Sequence, residues 1–157
     1  MASAAIVLVI IAAVFICITF SERQLCLVLE NSYTDKQLLA LPVEEGDIFS
    51  VTFVHSVNNT PVTDYYEIRG EDFYVVQTKY YGFGAGVQTE IGPGQQLTYT
   101  DDGAMLVSGF NQKMTGMIYV VGMVSDHTLE LNGSKYSLRN ICARGTSVRF
   151  TLKRLRI

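Results

Sequence analysis

Between residues 48 and 57 the chain alternates strictly. Phe49, Val51, Phe53, His55 and Val57 fall on one side, and Ile48, Ser50, Thr52, Val54 and Ser56 on the other. Successive side chains of an extended strand point to opposite faces. The run is therefore a strand with one apolar face, and such a face is stable only when a sheet and a second layer bury it.

The rest of the chain repeats this theme in short pieces. Leu25 to Glu30 reads as a first strand, and residues 31–45, with Asp35, Lys36 and Pro42, as a connection with room for one helical turn. Tyr65–Arg69 and Phe73–Tyr80 flank Gly70-Glu71-Asp72, a hairpin turn signal. Gln96–Thr100, Ala104–Val107 and Met117–Val121 are further β-prone runs. Residues 129–136 form the clearest hairpin, because Asn132-Gly133 tolerates the positive φ of a primed turn. In the last run the alternation slips at Lys153-Arg154, which predicts a β-bulge. No segment after residue 46 keeps a helical period. The expected architecture is all-β, a single sandwich or closed barrel of short, mainly antiparallel strands.

The N-terminus differs. Its first 21 residues carry no charged side chain, and Ala4 to Phe20 is a run of 17 apolar or small residues. That length is at the short end for a helix crossing a hydrocarbon core of ~30 Å. A cleaved signal peptide would need a basic leading region and a small-residue cleavage site. MASAA has neither Lys nor Arg, and Arg-Gln-Leu precedes Cys26. We read residues 1–22 as one uncleaved hydrophobic helix, a single-pass cell-membrane anchor, and residues 23–157 as one β-domain on its extracytoplasmic side.

Charge and cysteine content narrow the function further. A net charge of −3 lacks the positive footprint of a nucleic-acid binder. Cys17 lies in the hydrophobic segment, leaving Cys26 and Cys142 as the one possible soluble pair. Nothing has the spacing of a metal centre, and no cofactor is implied.

Two constellations invite a chemical reading. His55, Ser56 and Asp64 contain the residue types of a hydrolase triad, but adjacent strand residues diverge, which separates His55 from Ser56. No Gly-x-Ser-x-Gly turn presents Ser56 as a nucleophile. The favoured reading is a polar corner in which Asp64 reaches back to His55, shaped by Thr60-Pro61, whose proline fixes the bend. The second constellation, Gly84-Ala85-Gly86, is a tight glycine loop without the fingerprint of a nucleotide site. His127 lies in a Ser-Asp-His-Thr stretch and reads as a solvated loop residue. No catalytic set emerges, and the chain is read as a non-enzyme.

HSVNNTPVTDYYEI followed by GFGAGV resembles the bacterial domain-of-unknown-function family 1850 over about residues 25–152, including the closing Gly145–Val148 segment. Asp64 stands where that family usually has Glu, and Val87-Gln88-Thr89 replaces a bulky residue and proline. The resemblance implies association with tripartite ATP-independent periplasmic (TRAP) transporters of the TAXI type. The expected role is an accessory subunit contacting the permease or its substrate-binding protein in organic-acid transport. The alternative is a module that binds a small organic anion around His55, Thr60, Asp64 and Gly84–Gly86.

Overall fold

A computed structural model describes residues 23–56, 59–82, 90–123 and 125–156, together with Val7 and Ile10. The described residues form eleven strands: β1 Gln24–Asn31, β2 Gln37–Pro42, β3 Ile48–Val54, β4 Pro61–Arg69, β5 Asp72–Tyr80, β6 Gln96–Tyr99, β7 Met105–Lys113, β8 Ile118–Val120, β9 His127–Leu131, β10 Ser134–Ser137 and β11 Ser147–Leu155. A short helix, α1 Leu138–Ile141, precedes β11. The strands make two sheets, ordered β2-β1-β11-β8 and β10-β9-β3-β4-β5-β7-β6. The pairs are antiparallel. The result is a β-sandwich with unequal layers.

Alternation sets the core. Phe49 and Val51 of β3 are fully buried, and their register partners Tyr66 and Leu129 share that face. Across from them the smaller sheet contributes Leu27 and Leu29 from β1 and Val148 and Phe150 from β11. The Phe49 ring stacks on Tyr66 at 5.0 Å and on Phe150, from the opposite sheet, at 6.3 Å. Each such buried side chain stabilises the fold by about 1.5–3 kcal/mol.

The turns follow local chemistry. Asn132 (φ 49°) and Gly133 (φ 75°) close the β9–β10 hairpin in the expected primed geometry. At the β3–β4 corner Asn59 adopts φ 51°, and the His55 amide donates to the Thr60 carbonyl at 2.9 Å. Pro61 opens β4, opposite Val54.

Three expectations are corrected. Residues 37–42 form strand β2 rather than a simple connection; Leu39 and Leu41 face the core although lysine and proline break the pattern around them. The β7 strand runs on to Lys113, past Val107. The slip at Lys153-Arg154 is no bulge, since β1 pairs β11 in unbroken register from Gln24 to Asn31. Arg154 holds the inward parity but overruns the core and meets Glu71 at 3.0 Å instead. Helix α1 was invisible to periodicity because it is one turn long; Ser137 caps it by accepting from the Asn140 amide.

Cys26 and Cys142 are free thiols, and burial raises the pKa of both. The expected membrane anchor falls almost wholly outside the described residues. Among those described, no helix is long and apolar enough to cross a membrane.

Candidate functional site

Asp64 occupies the inward parity of β4, in the series Val62, Asp64, Tyr66 and Ile68. Its register partners are Val51 on β3 and Thr78 on β5, so a carboxylate is placed on the core face of the large sheet. An ion there is unfavourable unless hydrogen-bonded. Thr78 Oγ1 donates to Oδ1 at 2.8 Å, and Tyr119 Oη donates to Oδ2 at 3.3 Å. Tyr119 belongs to the small sheet, where its pairing with Val148 turns it inward. Its hydroxyl also lies 2.8 Å from that of Tyr66. The four groups form one polar bridge between the layers.

The electrostatics reflect this setting. Loss of hydration raises the Asp64 pKa, and the hydrogen bonds from Thr78 and Tyr119 oppose the rise. Burial, the neighbouring phenol and the Asp64 charge all disfavour ionisation of Tyr119, so it remains a donor. Tyr66 is held neutral by burial first and then by the Asp64 charge, against the opposing hydrogen bond with Tyr119.

His55 ends elsewhere. Asp64 is level with Val51, four residues up β3 from His55, a separation of about 13 Å at strand rise. The expected pairing of His55 with Asp64 across the proline corner is therefore replaced by the inward bridge to Thr78 and Tyr119. The parity of β4 carried that signal, since Asp64 alternates in step with Val62, Tyr66 and Ile68. Ser56 is exposed on the turn. The residue types of a hydrolase triad are thus dispersed between a turn and the sandwich interior. Thr60 and Pro61 shape the turn through backbone geometry.

At this end of the sandwich His55 and Ser56 join residues that sequence reasoning missed. A pocket of about 420 Å³ is lined by His55, Ser56, Gly122, Met123, Ser125 and His127, with Phe53 and Val54. His127 is not a solvated loop residue: it begins β9, pairs with Phe53, and stacks on that ring at 5.6 Å. Its Nδ1 accepts from the Gly122 amide at 3.4 Å, which leaves Nε2 to carry the proton. Burial lowers its pKa, so the neutral ring is favoured. Arg139 of α1 clamps the adjoining loop through the Gly122 carbonyl at 2.8 Å. The rim is apolar and open: Met123 is 67% exposed and Val54 39%.

Gly84, Ala85 and Gly86 lie outside the described residues. Strand β5 ends at Tyr80, opposite Val62, at the same end of the sheet as the His55 turn. Among the described residues, no group of three or more His, Cys, Asp or Glu is placed to hold a metal ion.

Compared with known proteins, residues 49–138 match a family described as a domain of unknown function (DUF1850). No curated protein and no solved structure matches the chain.

Proposed function

Because the chain belongs to the DUF1850 family, and His55 lies at one loop-bearing end of the sandwich, we propose that it is a non-enzymatic accessory subunit of a TAXI-type TRAP transporter. In this reading residues 1–22 tether the domain to the membrane. The end bearing His55, Ser56, Val54 and Met123 contacts the permease or its substrate-binding protein. The observation that carries the reading is the pair of exposed apolar side chains, Val54 and Met123, at the mouth of the pocket that His55, Ser56 and His127 line. Exposed apolar side chains grouped on one surface suit partner contact.

A photo-crosslinking amino acid at position 123, in native membranes, tests it. The expected product joins this chain to a transporter subunit. The same probe at Asn132, in the turn at the opposite end of β9, should give none. Crosslinks at 132 but not 123, or to no transporter subunit, would overturn the assignment.

The pocket also supports a second reading, a binding site for a small organic anion. Neutral His127 offers an Nε2 proton, and Ser56 and Ser125 offer hydroxyls. Calorimetry of the full chain with short carboxylic acids, repeated with His55→Ala, distinguishes this from docking. Heat that disappears in the variant supports the anion site; none in either protein leaves docking alone.

A further inference from the structure

The outward face of the large sheet carries a second recess, remote from the His55 pocket in chemistry and built from different residues. Register places Glu130, Ser50, Tyr65, Gln77 and Ser108 in one row across five strands. A neighbouring row holds Thr128, Thr52, Thr63 and Lys79. Rows of this kind are continuous hydrogen-bonding surfaces, since paired residues on one face stand about 4.5–5.5 Å apart. The face is concave: Ser50 is only 7% exposed although it points away from the core. An open pocket of about 650 Å³ forms over it.

Three features define what fits. Hydroxyls dominate the floor, with Ser50, Thr52 and Thr63 all lining the recess, and Thr52 and Thr63 sharing a 2.9 Å hydrogen bond. Two aromatic rings, Tyr65 and Tyr81, also line it. Carboxylates of Asp47 and Glu130 reach its edge, Glu130 lying 3.5 Å from the exposed Lys135. The lining cation is already committed: Lys79 Nζ is 2.8 Å from Asp102, whose carboxylate also accepts from Tyr81 at 2.6 Å. Those contacts lower the Asp102 pKa and keep the ion pair intact.

An anion would meet two carboxylates and a neutralised lysine here, so the recess rejects the ligand class considered for the His55 pocket. An apolar ligand would strand the hydroxyls. A neutral polyhydroxylated ring satisfies every feature. Its hydroxyls both donate and accept, matching Ser, Thr and carboxylate partners, while its C–H faces pack on tyrosine rings. The geometry points to a binding site for a neutral saccharide on the outer face of the large sheet, with Tyr65 as the stacking ring. This assignment does not depend on a transporter role.

The test uses the full-length chain in a zwitterionic detergent that contains no sugar. Maltose, cellobiose and N-acetylglucosamine are titrated by calorimetry, with galacturonate as the anionic comparison. At least one neutral sugar is expected to bind. Tyr65→Ala should weaken it by about tenfold or more, through loss of the stacking ring. Tyr65→Phe, which keeps the ring, should retain it, and so should Tyr99→Ala, an exposed tyrosine outside the recess. Circular dichroism checks that each variant folds; if Tyr65→Ala does not, Glu130→Gln replaces it and should weaken binding several-fold. No heat with any neutral sugar overturns the site. So does galacturonate binding as tightly as its neutral counterparts, or sugar binding that survives both Tyr65→Ala and Glu130→Gln.

Discussion

The hydroxyl oxygens of Tyr66 and Tyr119 lie 2.8 Å apart, although the residues are 53 positions apart and belong to opposite sheets. Tyr119 also donates to Asp64, so this one phenol ties the three-residue strand β8 to the large sheet. Tyr119→Phe removes both contacts and leaves the carboxylate with Thr78. We expect a loss of about 1–3 kcal/mol by urea unfolding, as for a buried acceptor losing a partner. Tyr66→Phe should cost less, about 0.5–1.5 kcal/mol, because the Asp64–Tyr119 bond survives. Equal losses from the two variants would contradict the bridge.

Asp64 gives the fold a pH signature. Its folded-state pKa is raised above the ordinary 3.8, chiefly by burial. A raised folded pKa contributes stability that is full below the unfolded value and is lost as pH rises through the folded value. Asp64→Asn keeps an acceptor without the charge. It should match the native chain at low pH and become progressively more stable than it as pH rises above about 4. The measurement is the difference in unfolding free energy between the two proteins from acid to neutral pH. A difference that shrinks with rising pH would mean that the carboxylate is stabilised, not strained, by its site.

Gly109 in β7 has φ 84°, and a Cβ there would come within 2.3 Å of the Gly94 carbonyl oxygen. Gly109→Ala therefore combines a left-handed backbone with a clash against backbone. We expect it to cost more than about 1–3 kcal/mol, the usual strain of such a conformation alone. Gly46→Ala is the comparison: its φ is 83° but nothing lies within 4 Å of the added carbon. It should lose only the conformational part. Denaturant midpoints of the two variants separate strain from clash.

Met123→Glu tests the docking rim without touching the core. Met123 is 67% exposed, so the unfolding free energy should stay within about 0.5 kcal/mol of the native value. Under the proposed accessory role, recovery of this chain with the transporter from native membranes should fall, because a charge would replace an apolar side chain in the proposed contact. Undiminished recovery would remove this end of the sandwich from the contact.

Much of the fold was legible because its signals are local. The β3 alternation, the Gly70–Asp72 turn and the Asn132-Gly133 hairpin each rest on a few adjacent residues, and all three are in the structure. Strand β2 was missed because Asp35, Lys36 and Pro42 crowd its ends, while its only strong signal, two inward leucines, is too short to read. The site was less legible. Sequence alone places Asp64 in the corner before a strand starting at Tyr65, whereas the strand starts at Pro61 and turns Asp64 inward, and its partners Thr78 and Tyr119 come from strands 14 and 55 residues away.

The sequence by itself determined the all-β class, most of the strands and the inward face of β3, since alternation and turn chemistry act between neighbours. Only the tertiary structure decided that His55 faces a pocket with His127 while Asp64 bonds Tyr119. Those contacts depend on sheet order and on how two layers meet, and both are settled by burying the shared apolar faces of strands distant in the chain.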